Sequence, residues 1–150
     1  MSSKLSNHWM PIFQSLKSDV APIFGKMSAQ HMIEHLVYTV MISNGKIAIE
    51  VKLPDAKVSY LKNYIVESEN QFPQGFKSPI LGDDLLPLRS ANIEVACQKL
   101  ALELEKFEEY FQQNPNATLL NPVAGALNYQ EWVTFHDKHF MHHAKQFGLI

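Results

Sequence analysis

Seven histidines occur in this 150-residue chain, and four of them, His136, His139, His142 and His143, crowd into "FHDKHFMHHAKQF" at residues 135–147. Imidazole is the side chain suited both to proton transfer near neutral pH and to binding first-row divalent ions. His139 and His143 are four residues apart, so on a helix their rings stack one above the other within reach of one cation. At about 100° per residue, His136, His139 and His143 share an arc of about 60°, beside Trp132 and Phe147. His142 lies at the edge of that arc. Large aromatics mark a buried face, and a solvated basic tail would have carried its histidines on the polar side. Buried imidazole nitrogens need partners, which are either hydrogen-bonding neighbours or a metal ion.

Two rings grip a cation weakly, so a third donor is expected from another segment. The stretch "SAQHMIEHLVYT", residues 28–39, supplies it: His35 shares a face with Met32, Thr39 and Ile42. The set His35, His139 and His143 would leave coordination positions open for water or substrate, the mark of a catalytic site. A competing pattern overlaps it. "HMIEH" matches H-x-x-E-H, the inverted zinc-protease signature, in which His31 and His35 would bind the ion and Glu34 would act as base. Glu103 or Glu108 would then complete the ligand set. That arrangement leaves the C-terminal histidines on a core face without a role, and such proteases are larger, multi-domain chains. No Asp or Glu shares the histidine stripe, so paired-carboxylate chemistry is not indicated. His136 and His142 are candidates to support the ligands or relay protons, or else are core and rim residues, the second reading being favoured for His142. Tyr38 and Tyr129 either line a pocket or pack.

These side chains must be positioned by helices. Residues 91–113 place Ile93, Cys97, Leu100, Leu104, Phe107 and Phe111 on one face, at alternating spacings of four and three. Ser90 is the expected cap and Asn114-Pro115 the stop, while Glu103, Glu105, Glu108, Glu109, Lys99 and Lys106 read as a solvated face. A second helix should cover Ala29 to Ser43, capped by Ser28 and ended by Asn44-Gly45. Residues 56–69, with Val58, Leu61 and Ile65 on one side and Asp55 as cap, form a weaker third. The last helix opens with Asn128 and Glu131 as a capping box, Leu127 and Trp132 as a hydrophobic staple, and runs to about Phe147. "NHWMPIFQSLKS" adds a short N-terminal helix whose start Pro11 restricts. No strand is expected, since "KIAIEVKL" would have nothing to pair with. Long linkers at 71–90 and 114–127 suit a lid or a crossover. This is an all-α pattern, a four-helix bundle with long crossover loops, in one domain.

Two stretches carry a family resemblance. "FGKMSAQHMIEHLVYT" resembles the second helix of the DinB/YfiT-like superfamily, and "EWVTFHDKHFMHHAKQF" its final helix, with H-x-x-H-H trailed by a Gln. The resemblance implies a four-helix bundle with a three-histidine metal site, corresponding here to His35, His139 and His143, with Gln146 as the trailing Gln. Phe24 departs from the pattern, standing where many relatives have Trp. By resemblance the cation would be nickel, zinc, iron or manganese, its task the activation of a low-molecular-weight thiol, and homodimerisation through helix faces would be usual. A metal-free interaction module that retains the bundle is the other outcome found in such a family.

Composition narrows the partners. With 46% apolar residues, 19% charged residues and a net charge of −2, the chain has no basic stripe to attract nucleic acid. A small-molecule substrate is therefore expected. The single Cys97 among six methionines fits a reducing, cytoplasmic setting. Neither a bilayer-spanning apolar run nor a secretory signal is read in the sequence.

Overall fold

A computed structural model describes residues 4–73 and 85–150. The described residues are mainly helical: α1 (Lys4–Gln14), α2 (Ala29–Ser43), α3 (Asp55–Lys62), α4 (Ile93–Gln113) and α5 (Tyr129–Gln146). One π-helical turn, Asn63–Glu67, extends α3, and a hairpin of β1 (Leu119–Asn121) and β2 (Gly125–Leu127) precedes α5. Helix α4 packs on α1 and α2, and α5 packs on the same two helices, so the four close a ring of contacts.

The apolar stripes explain that ring. Every residue of the 93–111 stripe is buried, as are Trp9 and Phe13 of α1, Met32, Leu36 and Val40 of α2, and Trp132 and Phe140 of α5. Trp9, Phe13 and Phe140 meet at ring-centroid distances of 5.8–6.2 Å, two of the three pairs edge to face. Cys97 is buried in this core, and burial pushes its thiol up to about 11, which keeps it unreactive.

Three features depart from the sequence reading. Helix α1 begins at Lys4 and runs through Pro11, because burying Leu5, Trp9, Met10 and Phe13 outweighs the hydrogen bond that proline cannot donate. Glu103 is fully buried rather than solvated: its carboxylate accepts hydrogen bonds from Lys46 Nζ at 2.8 Å and Asn44 Nδ2 at 3.0 Å. Burial raises its pKa, but those partners and Lys106 outweigh that and hold it below the usual value. The hairpin contradicts the expectation of no strands. Leu119 faces Leu127 and Asn121 faces Gly125, while Asn121 Oδ1 accepts from the amides of Val123 and Ala124 and so turns the chain. Gly125 has φ +76°, and a Cβ there would come within 2.9 Å of Val58, so only glycine lets the hairpin lie this close to α3.

Smaller adjustments concern helix ends. Asn92, not Ser90, caps α4 by accepting from the Val95 amide, and Pro54 precedes α3 with Asp55 inside its first turn. The caps expected from Ser28 and Asn128 are present. "KIAIEVKL" is irregular, as expected of an unpaired segment. No described helix is long and apolar enough to cross a membrane.

Candidate metal centre

Two well-defined helix starts put the histidines in place. Ser28 Oγ accepts the His31 amide at 3.1 Å and begins α2, so His35 emerges two turns along. In α5, Asn128 Oδ1 accepts the Glu131 amide at 2.9 Å, and Glu131 Oε1 accepts the Asn128 amide at 3.0 Å. That reciprocal cap sets the register from which His139 and His143 project.

The three rings converge. His35 Nε2 lies 3.0 Å from His139 Nε2, and His143 Nε2 lies 3.1 Å from the same atom. One ligand atom from each residue falls within 4.8 Å of the other two, close enough to hold one metal ion. Among the described residues, no other group of three His, Cys, Asp or Glu side chains gathers in this way. His143 is oriented from behind: its Nδ1–H donates to Gln146 Oε1 at 2.6 Å, which leaves the Nε2 lone pair aimed at the cluster. Gln146 in turn donates from Nε2 to the Phe24 carbonyl at 2.9 Å, and its own carbonyl accepts the Ile23 amide at 2.7 Å. The turn at 23–25 thus braces the end of α5. Gly25, with φ +83°, has room for no side chain there, since a Cβ would stand 2.8 Å from Gln146 Nε2.

Electrostatics favour neutral rings. Burial, with a smaller contribution from His142, lowers the His35 pKa to about 4. Burial and the neighbouring imidazoles hold His139 well below its ordinary value. The same causes depress His143, against a smaller opposing effect of Gln146. At neutral pH all three therefore present unprotonated nitrogens, the form a cation needs. The Nδ1 atoms of His35 and His139 are buried without a hydrogen-bond partner.

The rings line a cavity of about 420 Å³. Phe72 lies over His139 at 5.4 Å with the planes 23° apart, and also meets Phe135 at 5.4 Å. Opposite, Glu34 fastens the approach to α4: its carboxylate accepts the Arg89 amide at 2.7 Å and the Ser90 amide at 3.1 Å, together with Gln30 Nε2 at 2.9 Å. Burial raises the Glu34 pKa, but these bonds and nearby His31 outweigh it and hold the carboxylate low. The loop expected as a cover spans 71–90, and its residues 74–84 lie outside the described residues. At its two described ends, Phe72 and the run Leu85–Pro87 line the cavity.

The remaining candidates separate cleanly. His136, the first candidate for a supporting or relay role, sits in the core between Trp132 and Phe140, with Nε2 2.7 Å from Ser43 Oγ and Nδ1 unpartnered. It makes no hydrogen bond to the three rings, because its position three residues before His139 turns it toward the Ser43 end of α2. His142 is at the cavity rim, 5.3 Å from Phe24 and 5.8 Å from Phe72, and burial lowers its pKa against a hydrogen bond to the Phe72 backbone. Tyr38 lines the cavity, whereas Tyr129 donates its hydroxyl to Glu108 on the far part of α4.

The protease-like arrangement does not assemble. His31 Nδ1 is 2.6 Å from Ser28 Oγ, Glu34 is spent on backbone amides, and Glu103 and Glu108 face Lys46 and Tyr129. Sequence reasoning missed the Glu34 anchor, the Phe72 stack and the work of Gln146. Each joins residues distant in the chain, apart from the His143–Gln146 pair, whose i, i+3 spacing was visible.

No family model matches the chain, and neither a curated protein nor a solved structure matches it.

Proposed function

We propose that the protein is a metal-dependent enzyme in which His35, His139 and His143 hold a divalent ion that activates a thiol or water, as in a thiol S-transferase, isomerase or hydrolase. The observation that carries this reading is the meeting of three neutral imidazoles on a cavity wall, with Gln146 bonded behind one of them. Such a donor set fits nickel, zinc, iron or manganese, and imidazole chemistry alone does not choose among them. The DinB/YfiT-like resemblance belongs to the same proposal. The closed ring of contacts among α1, α2, α4 and α5 supports its four-helix bundle. A small-molecule substrate, a homodimer and a cytoplasmic setting remain part of the same reading.

When bound, the ion would lower the pKa of a thiol or water at its open positions. The chain's own residues supply the rest. Phe72 and Phe135 shield one side of the ligand rings from water, and Gln146 fixes which nitrogen of His143 faces inward. His31 and His142 line the same cavity and are the imidazoles placed to take or return a proton.

A second reading has one observation in its favour. The 3.0 and 3.1 Å separations are also N–H···N distances, so a single N–H on His139 Nε2 could bond one of its two neighbours without an ion. Metal analysis of protein purified without a His-tag separates the two. About one ion per chain, lost in His139→Ala and His143→Ala and kept in His31→Ala, is expected. Substoichiometric metal in the wild type supports the metal-free module, and loss of the ion in His31→Ala with retention in His143→Ala revives the protease-like set.

A further inference from the structure

The cavity above the imidazoles has a polarity of its own. Its buried walls include the apolar Val37, Met41, Val123 and Phe135, Phe24 and Met27 line it half-buried, and Leu85 and Leu86 add exposed apolar surface. At about 420 Å³ it falls within the roughly 300–1,000 Å³ of small-molecule sites. Three cationic residues, Lys26, Arg89 and Lys99, also line it, and all three are exposed, which places them at the open side. Among the described residues Glu34 is the only carboxylate in the lining, and both of its oxygens are already occupied by the Arg89 and Ser90 amides and by Gln30. Among the described residues, the lining therefore sets three exposed cations against the single carboxylate of Glu34.

We propose that this cavity binds an amphiphilic anion, a small molecule with a carboxylate-type head and an apolar body, the head among Lys26, Arg89 and Lys99 and the body directed toward His35, His139 and His143. A head at the exposed rim keeps part of its hydration while gaining three cationic neighbours, so no charge is stranded in the apolar interior. The body displaces water from the aromatic and aliphatic walls, which is where the favourable free energy of binding arises. The opposite orientation would send a hydrated head past those walls. The inference rests on the metal-enzyme reading only for what happens at the inner end, where the body would present its reacting group.

Calorimetric titration of the zinc-supplemented full chain with octanoate, octanol and octylamine tests it, because the three probes share a body and differ in head charge. Octanoate should bind about tenfold more tightly than octanol, from about twofold per exposed cation, with octylamine weakest. High salt should shrink the difference. The triple variant Lys26→Ala/Arg89→Ala/Lys99→Ala, whose sites are exposed and whose Arg89 amide still meets Glu34, should keep octanol binding and lose the preference for octanoate. Failure of octanoate to bind, equal binding of octanol or octylamine, or a preference that survives the triple substitution overturns the proposal. His139→Ala keeps the two readings apart. An octanoate preference that persists there upholds the rim even if no ion is ever found, whereas a preference lost there and kept in the triple variant puts the head on the metal and refutes the stated orientation.

Discussion

Replacing Gln146 by Leu tests whether the imidazole cluster is held ready for a cation or is merely packed. Gln146 is 4% exposed and makes two side-chain hydrogen bonds, accepting from His143 Nδ1 at 2.6 Å and donating to the Phe24 carbonyl at 2.9 Å. Leucine of similar volume removes both. Leaving the His143 Nδ1–H buried without an acceptor costs about 1–3 kcal/mol, unless the ring shifts its proton to Nε2. Such a shift would place N–H where a lone pair must face the ion. Loss of an outer partner of a ligating histidine weakens metal binding by about 10–100-fold. That range corresponds to about 1.4–2.7 kcal/mol. Gln146→Glu provides the contrast: it restores an acceptor for His143 but leaves the Phe24 carbonyl without its donor. Competition against a chromophoric chelator measures affinity, and thermal unfolding of the metal-stripped proteins measures the structural cost. The reasoning requires both variants to lose apo stability while only Gln146→Leu loses affinity by an order of magnitude. Equal affinity in the wild type and Gln146→Leu, or an equal loss in both variants, would refute it.

Other perturbations probe the scaffold around the centre. Burial holds His136 at about 3 when folded, against an ordinary value of 6.5, so the unfolded chain takes up the proton first as the solution is acidified. Its contribution is intact above pH 6.5 and is lost as pH falls toward about 3, at about 1.4 kcal/mol per pH unit. Denaturant titrations of the metal-stripped protein between pH 7.5 and 4.5 should show a shallower decline in His136→Phe, and an unchanged slope would contradict the assigned burial. Asn128→Ala removes half of the reciprocal cap on α5 and should cost about 1 kcal/mol, read from the unfolding midpoint. Lys138 Nζ donates to the carbonyls of Ile65 and Ser68 at 2.5 and 2.6 Å, tying the π-helical turn to α5. Lys138→Met should expose amides of residues 63–68 to faster hydrogen exchange while leaving metal content unchanged, because the two lie on different faces of α5.

How much of this was legible in the residues themselves depends on the range of the interaction. The i, i+4 spacing of His139 and His143, the stripe from Ile93 to Phe111 and the caps at Ser28 and Asn128 are local periodicities, and each reappears in the structure. A helix repeats every 3.6 residues whatever surrounds it, so a face can be counted without knowing its partner. That the third ring is His35 rather than His31 was reachable because its face continued through Met32 and Thr39, both buried. The charged residues of α4 show where counting stops: Glu103 and Glu105 look alike in sequence, yet one is buried on Asn44 and Lys46 and the other is exposed.

Chain folding in space decided the remainder. The 3.0 Å approach of His35 to His139 spans 104 positions in sequence, the Glu34 anchor on Ser90 spans 56, and the Gln146 bond to Phe24 spans 122. The hairpin at 119–127 also depended on context, since three-residue strands carry too few alternations to be seen and gain their stability by packing beside α3 and α5. The sequence alone determined which side chains could bind a cation and on which helical faces they stand. Only tertiary packing determined that those faces meet: α2 is held on α4, and α5 on α1 and α2, by a common core that buries Leu36, Val40, Trp132 and Phe140, residues outside the imidazole cluster.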